Sequence, residues 1–157
     1  MLKRLFLSAA LGLAGCLPPE AAPPPEGEAA RVVRVIDGDT IDVELAGAAA
    51  RVRYIGVNTP ERDQPCYREA AAANADLVDG QTVTLVKDTS ETDRNGRLLR
   101  YVYVGEVFVN ALLVEQGFAE ARAYPPDTAQ AEVLEDLEAE ARAANRNCHA
   151  LGAFGAG

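Results

Sequence analysis

At 157 residues, with 48% hydrophobic and 25% charged side chains, the chain has the make-up of a soluble globular protein with one domain around a single core. Its formal charge is −9, and about −11 once Lys3 and Arg4 are set aside, which excludes a broadly basic surface. Any attraction for phosphate must therefore be local, around Arg53, Arg94, Arg97 and Arg100, or supplied by a bound cation.

Residues 1–15 read as a signal peptide. Lys3 and Arg4 form a positive start, and residues 5–15 are an apolar run of eleven, too short to span a bilayer as a mature helix. Leu13-Ala14-Gly15-Cys16 resembles a bacterial lipobox, in which cleavage before the cysteine leaves a thiol that carries lipid. An ordinary secretory signal or a short anchor are the alternatives. Multiple acyl chains on Cys16 would hold the protein on a membrane as an extracytoplasmic lipoprotein, where one chain binds only marginally. Residues 17–30 then form a tether. Five prolines and three glutamates among fourteen residues cannot build a core, and they favour extended polyproline II.

From residue 31 onward the pattern changes. Val32, Val33, Val35 and Ile36 predict a strand over 31–37, and Ile41, Val43 and Leu45 alternate with Asp42 and Glu44 in a second over 41–45. Asp37-Gly38-Asp39 between them makes a hairpin turn. A third strand is predicted over 51–57, ending at Thr59-Pro60 because proline cannot continue a ladder. The alanine-rich run 67–78 predicts a helix stopped at Gly80. Strands follow over 82–87 and 98–104, then a short helix over 110–116 closed by Gly117. Asp127 with Gln130 resembles a capping box, and Val133, Leu134, Leu137, Ala141 and Ala144 trace one face of a last helix. The residues alone imply α+β with an antiparallel sheet.

Cys66 and Cys148 remain after the leader is removed. In an exported protein an even pair is a disulfide candidate, with two independent thiols as the alternative. His149 is the only histidine and Ser8 and Ser90 are the only serines, so a Ser-His-Asp arrangement and a zinc site are both unsupported. No phosphate-cradling glycine loop is present.

Chemistry concentrates in three segments. Asp37-Gly38-Asp39-Thr40, Arg53 through Glu61, and Asp93-Arg94-Asn95-Gly96-Arg97 together offer oxygen ligands for a hard cation, guanidinium forks for a phosphodiester and a spare carboxylate. With Tyr101-Val102-Tyr103 and the run from Val109 to Gly117, these motifs resemble the staphylococcal-nuclease (thermonuclease) family, over about residues 30–146. The resemblance implies a five-stranded OB-fold barrel, a Greek key, with three helices over a domain of residues 31–157. It also implies calcium-dependent hydrolysis of DNA and RNA with little sequence preference, leaving 3′-phosphate ends.

By the same resemblance Asp39 is a calcium ligand, joined by Asn58 and the backbone carbonyl of Thr59. Asp37, Thr40 and Asp93 stand behind these groups. Asn58 departs from the aspartate of the best-known members, so the site has one negative charge fewer. Glu61 is implied as general base, and Arg53 and Arg97 as the pair that clamps the phosphate. Arg94 and Tyr124 are candidate substrate contacts, Tyr124 by stacking on a base. The expected partners are nucleic acid as substrate and a membrane through Cys16, with the protein a monomer. A non-catalytic OB-fold binding or adhesion lipoprotein is the rival reading. It would be expected to have lost some of Asp39, Arg53, Glu61 and Arg97, and all four are present.

Overall fold

The sheet starts inside the segment expected to be tether. In the computed structural model the described residues are 25–155, so the leader, Cys16, residues 17–24 of the tether and residues 156–157 lie outside them. Strand β1 spans Glu28–Val35, three residues earlier than residue 31. The extension has a long-range cause. Glu28 through Arg31 pair with Leu85 through Thr82, which buries Ala30, and the Glu28 carboxylate lies 3.3 Å from the Arg100 guanidinium.

Strands β2 (Thr40–Leu45) and β3 (Ala48–Tyr54) continue the meander. The β1–β2 turn falls at Asp37–Asp39 as expected, closed by the Ile36 amide donating to the Thr40 carbonyl at 3.0 Å. Strands β5 (Thr82–Val86) and β6 (Leu98–Val104) complete the wall. The order β3-β2-β1-β5-β6, with β6 pairing parallel to β3, closes five strands into a barrel. Alternate residues point inward, so Val32, Ile41, Val43, Val52, Val83, Leu85 and Val102 fill the core. Each such side chain contributes about 1.5–3 kcal/mol by leaving water.

The third strand lies three residues earlier than the sequence pattern predicts, at Ala48–Tyr54 in place of 51–57. It stops at Tyr54, and the chain turns at Ile55-Gly56, where Gly56 takes a φ of +76° that favours glycine. A Cβ there would lie 2.6 Å from the Leu134 side chain, so the position is doubly restricted. Val57 and Asn58 then form β4 (Val57–Asn58), which pairs with β8 (Glu120–Ala121) in a separate two-stranded ladder. The partner is some sixty residues downstream, so local alternation could not reveal the break.

Helix α1 (Tyr67–Val78) lies between β4 and β5 and ends as expected before Gly80. Strand β7 (Val107–Phe108) is a short hairpin arm on β6, and α2 (Val109–Glu115) follows directly. Helix α3 (Ala131–Ala143) buries Leu134 and Ala141, while Val133 and Ala144 face solvent. Its start is also corrected: Gln130 caps without a side-chain bond. The Asp127 carboxylate accepts instead from the Thr89 and Ser90 amides at 2.9 and 2.7 Å, tying that loop down. A disulfide joins Cys66, just before α1, to Cys148, just after α3, as the cysteine count suggested. The result is the expected α+β OB-fold barrel with three helices. Among the described residues no helix is long and apolar enough to cross a membrane.

Candidate active site

Hairpin geometry builds the acidic half of the site. The Asp39 amide donates to Asp37 Oδ1 at 3.1 Å, which turns the chain and aims the Asp39 carboxylate inward, where the residue is only 6% exposed. One oxygen, Oδ2, accepts from both the amide and the hydroxyl of Thr59, each at 2.9 Å. The other accepts from the Thr40 hydroxyl at 3.0 Å. Gly38 makes the approach possible, since a Cβ there would lie 2.8 Å from three Thr59 side-chain atoms. Burial pushes the Asp39 carboxyl above its ordinary value and Asp37 adds to the push, against the opposing pull of Arg53 and Thr59.

Arg53 projects from the end of β3 and is held on several sides. Its Nη1 donates to the carbonyls of Tyr54 and Val57, both at 2.9 Å. Its Nη2 lies 3.2 Å from Asp39 Oδ2 and donates to Asn58 Oδ1 at 3.4 Å. On its other side Arg53 lines an open cleft of about 530 Å³ with Asp93, Arg94, Arg97, Tyr124 and Asp127. That volume is in the range of small-ligand sites. The parallel β3–β6 register places Arg53 beside Leu99, two residues from Arg97. Asp93 orients Arg97 through a 2.6 Å ion pair and accepts from its amide at 3.0 Å. Burial pushes the Asp93 carboxyl up, but its bonds from Arg97 and Asn95 hold it below the usual range. Arg94 and Tyr124 stand exposed at the cleft rim.

The structure thus brings together Asp37, Asp39, Thr40, Asn58, Thr59 and Arg53, and sets Asp93, Arg94, Arg97 and Tyr124 along the cleft that Arg53 shares. Glu61 joins neither group. It is exposed in the loop after Pro60, and its side chain makes no hydrogen bond or ion pair among the described residues. Its backbone is fixed by Gln64, whose Oε1 accepts from the Glu61 amide at 2.7 Å while the Gln64 amide donates to the Glu61 carbonyl at 2.8 Å.

The donors suit a hard cation in kind: a carboxylate, an amide oxygen and a backbone carbonyl. The buried Asp39 carboxylate, with burial outweighing its arginine partner, is a group that gains from an added positive charge. Asn58 also meets the requirement for a ligand. Its amide nitrogen donates to Glu120 Oε1 at 3.1 Å, which leaves Oδ1 on the side of Arg53. Formal charge is sparse, for among the described residues no three His, Cys, Asp or Glu side chains gather as a metal site.

Arg100, expected among the phosphate-attracting arginines, is excluded from that role. It is 2% exposed and ion-paired with Glu28 and Glu91, so it fastens β1 and the 88–93 loop to β6. Two polar residues that matter to the site escaped the sequence reading. Asn74, fully buried in α1, donates to the Asp37 carbonyl at 2.9 Å and accepts from the Tyr54 hydroxyl at 2.9 Å, bracing the turn from below. A lone asparagine on the inward face of an alanine-rich helix was the available signal. Glu120 had none, because only the β4–β8 pairing places it opposite Asn58.

Comparison with known proteins agrees with this geometry. The family described as Staphylococcal nuclease homologue matches residues 51–149. The chain is 37% identical over 123 residues to the thermonuclease of Staphylococcus hyicus, covering 74% of this chain and 73% of that protein. It is 38% identical over 122 residues to the thermonuclease of Staphylococcus intermedius, with the same coverage of 74% and 73%. The SPbeta prophage-derived endonuclease YokF of Bacillus subtilis (strain 168) is 36% identical over 117 residues, covering 69% of this chain and 40% of that protein.

Proposed function

The chain belongs to the staphylococcal nuclease family, and from that premise we propose that it is a calcium-dependent nuclease cutting DNA and RNA with little sequence preference and leaving 3′-phosphate ends. Its thermonuclease and endonuclease relatives support hydrolase activity at the level of the family. One observation carries the finer reading: a single guanidinium, that of Arg53, reaches the buried Asp39 carboxylate and Asn58 while lining the cleft shared with Arg97.

In this reading Asp39, the Asn58 amide oxygen and the Thr59 carbonyl would hold one calcium ion, with Asp37 and Thr40 fixing Asp39 from behind. Held there, calcium would supply positive charge to the phosphate and would make water a better nucleophile. Arg53 and Arg97 donate to the non-bridging phosphate oxygens, and their contacts strengthen as charge builds on the pentacoordinate transition state. Asp93 keeps Arg97 pointed into the cleft. Glu61, solvent-facing in the loop after Pro60, takes the proton of the attacking water. As the water oxygen bonds to phosphorus, the bond from phosphorus to the 5′ oxygen breaks; that oxygen takes a proton from solvent and leaves as the 5′ hydroxyl, so the phosphate stays on the 3′ side. Arg94 and Tyr124 meet the neighbouring nucleotide, the tyrosine by stacking. The acidic surface adds no long-range pull, so substrate binding is weak and salt-sensitive.

Lipid anchoring is also proposed, on the strength of Leu13-Ala14-Gly15-Cys16 after a short apolar run. Because β1 takes the chain from Glu28 onward, residues 17–27 would remain as the tether, and at about 3.1 Å per extended residue they would reach roughly 34 Å from the headgroups. Cys16→Ser should move the protein from the detergent phase to the aqueous phase. A wild-type protein already in the aqueous phase would be a secreted enzyme instead.

Incubating the full chain with plasmid DNA, in calcium and in excess chelator, tests the activity. Cleavage should require calcium, and the ends should resist 3′ extension until a phosphatase has acted. Undiminished cleavage in chelator would overturn the metal assignment. Binding without cleavage in calcium would favour the non-catalytic OB-fold reading.

A further inference from the structure

We infer that Glu120 completes the cation cradle: it supplies the negative charge that Asn58 lacks, and it turns the Asn58 amide so that Oδ1 faces the Asp39 side. The inference rests on the calcium reading above and concerns a residue that the sequence motifs do not include. Asn58 and Glu120 are direct partners in the β4–β8 ladder, and the amide nitrogen of Asn58 donates to Glu120 Oε1 at 3.1 Å. From the opposite side Arg53 Nη2 donates to Asn58 Oδ1 at 3.4 Å. A reversed amide would set its NH₂ against a guanidinium and its oxygen against a carboxylate. Both neighbours therefore select the same orientation, the one a hard cation needs.

Glu120 is not a loosely placed surface acid. Immediately after it, the Ala121 amide donates to Glu138 Oε2 of α3 at 2.9 Å, and the Arg122 amide donates to the Gly56 carbonyl at 2.8 Å. These two bonds lock β8 to the helix and to the turn before β4, so the Glu120 carboxylate is held against Asn58 by the fold. Asp37 and Asp39 are the only acids that the hairpin brings to the cradle. A third acid one side chain behind a neutral ligand restores charge without crowding the ligand positions. Glu120 is thus a positioning residue, acting on the cation through Asn58.

Calcium titration calorimetry on the full chain tests this, with melting curves recorded in chelator. Partners that orient a ligand from behind typically change metal affinity by 10–100-fold. Glu120→Ala should weaken calcium binding by about tenfold. Glu120→Gln keeps the acceptor for the amide but loses the charge, so its affinity should fall between those of Glu120→Ala and wild type. Asn58→Asp alone sets two carboxylates against each other and should gain little. Asn58→Asp combined with Glu120→Gln removes that clash and should bind calcium more tightly than either single variant, a non-additive cycle. A merely structural Glu120 would lower the melting temperature of the variants and leave calcium affinity unchanged. Equal affinity in wild type, Glu120→Ala and Glu120→Gln overturns the inference. So does an Asn58→Asp gain that is the same with and without Glu120→Gln. No calcium binding by the wild type would instead overturn the metal assignment itself, and this inference with it.

Discussion

Thr59 and Glu61 are two residues apart and could hardly be held more differently. Thr59 is 3% exposed, with its amide and hydroxyl both on Asp39. Glu61 is exposed, and only its backbone is fixed, by Gln64. Between them stands Pro60, which ends the ladder. Under the proposed function the difference separates two tasks. Charge that must be buried to act strongly is built into the barrel and costs desolvation, visible in the raised proton affinity of Asp39. A group that exchanges protons with water works best where water reaches it, and the fold leaves it outside. The loop carrying Glu61 has two anchors: Thr59 on Asp39 at one end, and Cys66 bonded to Cys148 at the other.

Arg53→Ala should have the largest effect, because it strikes the built-in half. It leaves Asp39 buried without a cation and removes donors from the Tyr54 and Val57 carbonyls. A loss of about 3–5 kcal/mol in denaturant unfolding is expected, together with a fall in cleavage of ~10²-fold or more. An active, undiminished Arg53→Ala protein would dissolve the distinction between the two halves.

Opening the far anchor comes next. Cys66→Ser with Cys148→Ser frees a closed loop spanning 82 positions, and the melting transition should show about 2–4 kcal/mol less stability. Calcium affinity should stay as it was, since the cradle is tied by Thr59 and not by the disulfide. A weakened calcium affinity in the double variant would mean that the two anchors are not independent.

Gly38→Ala is the most local intrusion. Its Cβ would lie 2.8 Å from the Thr59 side chain, and because Thr59 is buried the strain should cost about 1–3 kcal/mol. Calcium binding should weaken with it, while substitutions at Glu61 should leave calcium binding alone. Thermal melts and calorimetry on the same samples separate the two.

What could be read in advance follows the range of the interactions. The hairpin at Asp37-Gly38-Asp39, helix α1 and strand β6 were legible because each is decided by neighbours in sequence: a turn dipeptide, an alanine run with a glycine stop, alternating valines and tyrosines. Asp39, Arg53 and Arg97 were singled out through motif resemblance, and the structure sets Asp39 beside Arg53 with Arg97 along the cleft that Arg53 lines. The break after Tyr54 was obscured because Ile55 and Val57 prolong the apolar run, and only the pairing with β8 shows that Val57 and Asn58 leave the barrel's ladder. Asp127 imitated a cap, yet its carboxylate serves the 89–90 loop nearly forty residues away. Arg100 resembled its exposed neighbours until Glu28 and Glu91 were seen to enclose it. In each case a contact distant in sequence overrode a local pattern.

In the proposed mechanism the exposed carboxylate of Glu61 performs the proton transfer while the buried cradle binds the cation. Measuring Glu61→Gln in one set of samples, for cleavage rate, melting temperature and calcium affinity, addresses it directly. The rate should fall by about 10²–10⁴-fold, with melting temperature and calcium affinity unchanged, because the side chain makes no contact that the fold depends on. Cleavage at the wild-type rate, or a fall in rate matched by lost calcium affinity, would contradict it.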